Sequence, residues 1–491
     1  MIITLVSIIA GLVALIYLYY AWKFSYWNKK KFPHVKPSFP FGNLGDTVLQ
    51  KKTIGEIHQE IYRKLDGEPL GGFYNFSEPT IMIRDEELIK TILVKDFNSF
   101  HDNEFNVNEK LDPLMAYNPF VVKGDKWKQI RNLHTGSFTT SKLKAMVPLT
   151  VDVCKNLIKH IEQKENVAIE AKNLCATYAT DNVASCGFGL VTSSLLNPED
   201  GFANVTRRVF ETNTQTAIAV IIVLFLPGLA NYNRVVSKDL SDYFIQIIKD
   251  TIHYRESKGV KREDFLQHMM TVLKERKEYD YTVITSQCFG MLTDGFFTTS
   301  IAMSWVLYEL ATHPEIQEKL RDNIKSIGSD ISDFDYDKIQ SCTYLDMVVN
   351  ESLRLHPPLT QLLKKCTKTT TLSHNGKDYK IEKGLTVVIP SYAVHRDERF
   401  YPNPTEFIPE RFSEEEKSKR DRYTFLSFGE GPRICVGMRF AILQIKLGVA
   451  TILLNFNVKA RDRPPLKLDP KNPAFHTAQP GIWLIFEKLK S

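Results

Sequence analysis

The pattern of apolar and polar positions divides the chain sharply near its start. Residues 2–22 carry no charge, and at 1.5 Å per residue such a run crosses a hydrocarbon layer of roughly 30 Å as a helix. Tyr17, Tyr19, Tyr20 and Trp22 gather at its far end, followed by Lys23, Lys29, Lys30 and Lys31. Aromatic side chains settle at the headgroup layer, and basic residues after a span stay in the cytosol. The pattern predicts an uncleaved transmembrane anchor over 1–22, because the basic leader and small-residue cleavage site of a signal peptide are missing. Residues 23–44 read as a basic and proline-rich hinge, in which Pro33, Pro37 and Pro40 exclude helix and predict a stiff, extended stretch.

Beyond residue 45 the pattern becomes helical. Residues 138–164, 236–258, 282–311, 314–327 and 435–455 repeat apolar positions at i, i+3 and i+4. The runs 80–83 and 386–389 read as short strands. No Gly/Ser linker or internal repeat interrupts 45–491, so one mainly α domain with a minor β-sheet portion is expected. The apolar run 217–226 closes on Pro227 and Gly228. It is too short to span a bilayer, leaving a core helix or a surface helix dipping into lipid.

Composition acts mainly by exclusion. With 43% hydrophobic and 24% charged residues among 491, the chain has ample material for a large core. A net charge of +6 from 63 basic and 57 acidic residues is too mild for a dedicated nucleic-acid binder. Seven cysteines without a CxxC pair are neither a disulfide framework nor a zinc site, and suit a reducing compartment.

One cysteine carries chemistry. Cys435 stands at the head of a long helical pattern, where the helix terminus favours a thiolate. Gly431 and Gly437 lack a Cβ and permit tight turns and close approach of a flat partner. Arg433 offers a fixed cation to a carboxylate. Such a thiolate serves as a nucleophile or as a metal ligand, and no nearby base supports the first use.

Phe428-x-x-Gly431-x-Arg433-x-Cys435-x-Gly437 resembles the haem-binding signature of the cytochrome P450 (haem-thiolate) family. Three further motifs occur in that family's order. Trp127 and Arg131 resemble its WxxxR pair, which meets a haem propionate; Glu351 and Arg354 resemble its ExxR helix; and Arg411, in Pro-Glu-Arg-Phe, resembles the arginine completing a buried Glu–Arg–Arg cluster. By themselves Glu351 and Arg354 would be an ordinary i,i+3 surface pair. Lys364 falls where relatives place a propionate-binding arginine. The phrasing at 389–397 is most similar to insect microsomal members related to the vertebrate drug-metabolising enzymes.

The resemblance implies the P450 fold, haem b with Cys435 as axial ligand, and insertion of one atom of O2 into a lipophilic small molecule (a xenobiotic, insecticide, hormone or lipid). It implies NADPH–cytochrome P450 reductase as electron partner, cytochrome b5 as a second one, contact with membrane lipid, no nucleic-acid partner, and residence in the endoplasmic reticulum (microsomal) membrane. Lys126, Lys128, Lys142, Lys144, Arg439 and Lys446 are expected to form the basic face for the reductase.

Relatives carry a small-Gly-x-acid-Thr motif above the iron, matched here by Asp294-Gly295-Phe296-Phe297-Thr298. Thr298 stands where a hydroxyl meets bound oxygen. Phe297 replaces the acid, and Asp294 lies four residues before Thr298 on the same helix face. Gly295, Phe296 and Phe297 are expected to line the pocket, with 101–123, 359–363 and 475–481. Several readings stay open: Asp294 delivers the proton; Asp294 only orients water or a polar substrate; the enzyme isomerises or dehydrates without oxygen activation; or the chain binds haem without turnover.

Overall fold

The structure, a computed structural model, describes residues 2–164, 167–197, 201–210, 232, 234–462 and 466–490; the run 217–226 lies outside them. Helix α1 (Ile2–Phe24) buries none of its residues. A helix apolar on every face whose residues are all left unburied suits a lipid solvent. Its last turns touch the body through Tyr17, Tyr20, Lys23 and Phe24, and α1 is long and apolar enough to cross a membrane.

The segment after α1 is seated on the body. Tyr26–Lys30 forms a helical turn whose Trp27 is 2% exposed. Its indole lies over Gly72, where a Cβ would come within 2.6 Å of the ring, and its Nε1 donates to the Phe73 carbonyl at 3.0 Å. The Tyr74 hydroxyl donates to the Phe24 carbonyl at 2.8 Å and accepts from the Trp27 N–H at 3.2 Å. Lys23 pairs with Glu78 at 3.0 Å. The proline-bearing stretch continues along the sheet, with Gly72 N donating to the Pro33 carbonyl and Val35 N to the Gly72 carbonyl.

That sheet has five strands: β1 (Leu70–Asn75), β2 (Glu78–Ile83), β3 (Asp102–Asn103), β4 (Leu362–Lys365) and β5 (Thr386–Ile389). Their order is β1-β2-β5-β4-β3. β2 and β5, the two strands legible in the pattern, run parallel side by side. The short β3 pairs with β4 and sets Asn103 opposite Lys364.

The larger core is helical: α2 (Gly124–Thr135), α3 (Thr140–Glu162), α4 (Ala171–Val183), α5 (Lys238–Lys258), α6 (Tyr281–Thr312), α7 (Pro314–Lys325), α8 (Thr343–Leu355) and α9 (Met438–Asn455). Helix α6 is the axis, with Ile284–Leu292 and Thr299–Leu310 buried around its circumference. The Asp280 carboxylate caps it by accepting from Thr282 N and Val283 N. At its far end Pro314, at the first position of α7, breaks the helical run.

Two expectations change. The helix predicted from residue 435 begins at Met438, with Gly437 as its N-cap and a 3-10 turn at Gly431–Arg433 before it. Cys435 therefore stands in a loop ahead of the helix. Lys446, expected on a basic surface, is fully buried on α9 and pairs with Asp346 at 2.9 Å; the apolar packing of α9 carries its stem inward. Lys126, Lys128, Lys142 and Lys144 each have an acidic partner, and Arg439 donates to Thr140 and Tyr336.

Trp27→Ala removes a buried indole and its hydrogen bond, so stability should fall by about 3 kcal/mol. The check is the denaturant midpoint of detergent-solubilised protein, and an unchanged midpoint would contradict the seated segment.

Candidate active site

The loop bearing Cys435 is shaped by glycine. Gly429 and Gly431 have φ of +69° and +75°, and a Cβ on Gly431 would lie 2.1 Å from the Leu93 carbonyl oxygen. Only glycine lets the loop lie on that turn. Cys435 N donates to the Phe428 carbonyl at 2.9 Å. Gly437 needs no such freedom: its φ is −89° and a Cβ there would meet nothing within 4 Å. The tight-turn expectation therefore fails for Gly437, whereas its open side agrees with the approach of a flat partner.

Cys435 alone among the seven cysteines has an exposed surface, yet it lies deep in the protein. Burial pushes its thiol up to about 11, outweighing the N–H groups of Gly437 and Met438. The exposed surface and the burial agree if sulfur faces an internal cleft. The helix terminus alone does not hold the thiolate, contrary to expectation; a coordinated metal ion would, because it deprotonates a thiol outright.

One side of the cleft is cationic. Trp127, 5% exposed, and Arg131 both stand on α2. The Arg433 guanidinium lies 4.3 Å from the Trp127 ring centroid. Much of its fork is occupied: it donates to the His101 carbonyl, to that of Val122 at 2.8 Å and to that of Pro119 at 3.2 Å, with Asp102 at 3.5 Å. Arg433 thus staples the 101–122 loop as well as carrying charge. Burial lowers it to about 10. Lys364 Nζ donates to Asn103 Oδ1 at 2.8 Å, and burial, then Arg433, lower it to about 7. Burial lowers Arg131 too, opposed by the charge of Cys435.

These residues fit a flat, iron-bearing ring with two carboxylates. One thiol is available as ligand, the approach at Gly437 is free of a Cβ, and a buried lysine and two partly buried arginines share one carboxylate, Asp102, at 3.5 Å from Arg433.

Behind the loop lies the buried cluster. Glu351 and Arg354, both fully buried on α8, form a bidentate pair at 2.7 and 2.8 Å. Glu351 also accepts from Ile408 N at 2.9 Å and faces Arg411 Nε at 3.3 Å. Arg354 donates further to the carbonyls of His395, Pro404 and Glu406. His395 links cluster and loop: its Nδ1 is 3.1 Å from the Arg354 carbonyl, and its Nε2 accepts from Leu426 N at 2.8 Å.

Across the cleft stands α6. Asp294 is open to the cleft, and burial pushes its carboxyl up to about 6, opposed by hydrogen bonds from Asn118 and Thr293. Asn118 Nδ2 reaches its two oxygens at 3.1 and 3.3 Å, and Thr293 Oγ1 reaches Oδ1 at 3.1 Å. Thr298 Oγ1 donates to the Asp294 carbonyl. A Cβ on Gly295 would make ordinary contact with Val183 at 3.7 Å. Phe296 is 7% exposed in the helical core. Phe297 meets Phe475 edge to face at 4.6 Å, with Lys172 Nζ 5.2 Å from its ring centroid.

Asn118 and His395 were not foreseen. Each is a single polar residue outside a periodic element, and the only signal, a polar side chain beside proline or within a polar stretch, is shared by many loop residues.

A family model for cytochrome P450 matches residues 33–486. The chain is 36% identical to cytochrome P450 6j1 of Blattella germanica over 499 aligned residues, covering 100% of this chain and 99% of that one. It is 35% identical to cytochrome P450 6k1 of the same species, covering 98% and 96%, and 34% identical to cytochrome P450 6A1 of Musca domestica, covering 98% and 97%. The chain belongs to the cytochrome P450 family. It is therefore a monooxygenase that binds haem b through a cysteine thiolate.

Glu351→Ala leaves Arg354 and Arg411 buried without their anion, a loss of about 3–5 kcal/mol. Expression should yield little folded holoprotein by haem absorbance, and normal haem content would contradict the cluster's structural role.

Proposed function

We propose that Cys435 would supply the thiolate that ligates the haem iron, that Trp127, Arg131, Arg433 and Lys364 would hold the haem carboxylates, and that Asp294 and Thr298 would serve oxygen activation on a lipophilic small molecule. The observation that carries this reading is the open Cys435 sulfur between a cationic rim and a helix bearing an open carboxyl. The bound haem supplies oxygen activation and transfer, favoured by thiolate donation.

The chain's own part is ligation, enclosure and proton supply. Gly431 and the His395–Leu426 link fix the loop, so Cys435 is presented in one orientation. Asp294 sits near 6 in a mostly apolar wall, where a carboxyl both takes and returns a proton near neutrality. Asn118 holds that carboxyl over the cleft. The Thr298 hydroxyl, one turn on, reaches the cleft by rotating away from the Asp294 carbonyl. The isomerase and carrier readings have no comparable support, since neither uses an anchored carboxyl beside a threonine.

Phe297, Gly295 and Phe475 favour an apolar substrate. Electrons come from the membrane-bound NADPH–cytochrome P450 reductase, with cytochrome b5 as a second donor; Lys126, Lys128, Lys142, Lys144 and Arg439 remain the candidate docking residues, without Lys446. Helix α1 anchors the chain in the endoplasmic reticulum membrane with the body in the cytosol.

The first test is the reduced carbon monoxide difference spectrum of membranes expressing the chain. A strongly red-shifted Soret band is expected for the wild type and none for Cys435→Ala; a band surviving in the variant would end the assignment. Asp294→Asn should raise the peroxide share of NADPH consumption several-fold. In the wild type the protonated fraction of Asp294 falls as pH rises through about 6, so coupling should decline over that interval. A variant retaining the inflection would remove Asp294 from the proton path.

A further inference from the structure

Helix α6 carries a second buried carboxylate that the oxygen chemistry does not use. Glu309 lies eleven residues beyond Thr298, about 16 Å along the axis. Its Oε1 is 2.5 Å from His356 Nε2, and its Oε2 is 3.4 Å from His313 Nδ1. His356 caps the C-terminus of α8, and its Nδ1 is 3.0 Å from His476 Nε2. Burial pushes the Glu309 carboxyl up to about 7, opposed by His313, Arg396 and Arg354. In its ionised form it accepts, and the bonds then run one way, from His476 Nε2–H to His356 Nδ1 and from His356 Nε2–H to Glu309. Burial holds both imidazoles well below the ordinary histidine range, so each has one N–H, as this chain of bonds requires.

Trp305, also on α6, encloses the chain. Its indole stacks on His356 at 3.9 Å with 3° between planes, and its Nε1 donates to the His476 carbonyl at 2.8 Å. The residue next to His476 is Phe475, whose ring meets Phe297 one position before Thr298. Phe475 belongs to no strand or helix; an isolated bridge to Leu359 and the backbone bonds Phe475 N to Asn472 O and His476 N to Pro358 O hold its main chain. We propose that the Glu309–His356–His476 chain is a positioning device that fixes the Phe475 turn against Phe297 as a wall of the substrate pocket, so that His476 governs the size of ligand accepted. The proposal rests on the haem-thiolate reading of the cleft.

The physical reason lies in the enclosure. A buried hydrogen-bond chain favours the arrangement of its carrying elements in which its links are made. Here the His476–His356 and His356–Glu309 links are made, while His476 Nδ1 finds no hydrogen-bond partner among the described residues. Breaking one link leaves a buried donor or acceptor unsatisfied, and the turn relaxes to satisfy it. Glu309 and Trp305 belong to the helix that bears Phe297, so both faces of the contact are referred to one rigid element.

The test uses full-length holoprotein and two probes that ligate haem iron through a ring nitrogen and shift the Soret band: imidazole, and 1-phenylimidazole, whose phenyl ring extends into the pocket. His476→Ala should weaken 1-phenylimidazole by about fivefold or more while imidazole stays within twofold and the carbon monoxide band is unchanged. His476→Gln, whose amide nitrogen reaches the place of Nε2, should restore wild-type binding. Phe475→Ala should reproduce the loss, and the double variant should add nothing to it. Equal affinities in His476→Ala and wild type, or equal weakening of both probes, would overturn the proposal. If His476→Ala yields no holoprotein, His476→Asn, too short to reach His356, replaces it. Selective weakening in Asn but not Gln supports the device, and equal binding of the two overturns it. A wild type without the thiolate band and without nitrogen-ligand shifts would instead reject the haem-thiolate reading.

Discussion

The buried Glu351–Arg354 pair is the constraint on which the site depends. Two charges withdrawn from water are tolerated only when every remaining donor and acceptor finds a partner. Arg354 meets that demand with the carbonyls of His395, Pro404 and Glu406, and Glu351 with Ile408 N and Arg411. These partners lie on irregular chain between residues 395 and 411, which has no ladder of its own to fix it. The ion pair therefore organises backbone rather than chemistry. His395 passes that order on, because one ring nitrogen faces the Arg354 carbonyl and the other accepts from Leu426 N, at the threshold of the cysteine loop. The orientation of Cys435 is thus referred, through one imidazole, to a pair of charges on α8.

The two sides of the cleft are built on opposite electrostatic terms. On the α2 side, Arg131, Arg433 and Lys364 are gathered in a poorly solvated region, and burial depresses all three. Asp102 offsets only part of that charge. A protein that concentrates cations there gains most from a ligand bringing anionic groups, which makes the rim selective as well as attractive. On the α6 side, burial raises Asp294, and its hydrogen bonds to Asn118 and Thr293 lower it by less. The same desolvation disfavours the charged forms on both sides, but the two arginines stay cationic, and Lys364 and Asp294 are the groups brought to titrate near neutral pH.

What was legible in the sequence was whatever repeats or whatever belongs to a spaced motif. Helices α3, α5, α6, α7 and α9 announce themselves because burying one face of a helix requires apolar residues at helical spacing. Glu351, Arg354, Arg411, Trp127, Arg131 and Cys435 stand out through their resemblance to a family's motifs, whereas the spacing of Glu351 and Arg354 alone reads as a surface pair. The contacts joining distant segments were not. Asn118 meets Asp294 across 176 residues, and His356 meets His476 across 120; neither pairing leaves a local trace. Lys446 misled because its charge suggests surface, whereas its position on an apolar helix beside Asp346 decides otherwise. Gly437 misled because a glycine's freedom shows in the sequence but the use made of it does not.

Phe297 stands where the resembling motif has its acid, and Asp294 puts a carboxyl one turn earlier on the same helix. Positions 294, 297 and 298 succeed one another at i, i+3 and i+4, so a carboxyl at 294 shares the cleft side with position 297, one turn closer to the 101–123 loop. At 294 the carboxyl is within reach of Asn118. Position 297 packs instead: the Phe297 ring closes on Phe475 and lies near Lys172 Nζ, a cation that a carboxyl at 297 would attract more strongly. Carboxyl and aromatic ring thus stand one turn apart on the same rigid helix, so the placement of each is referred to that of the other.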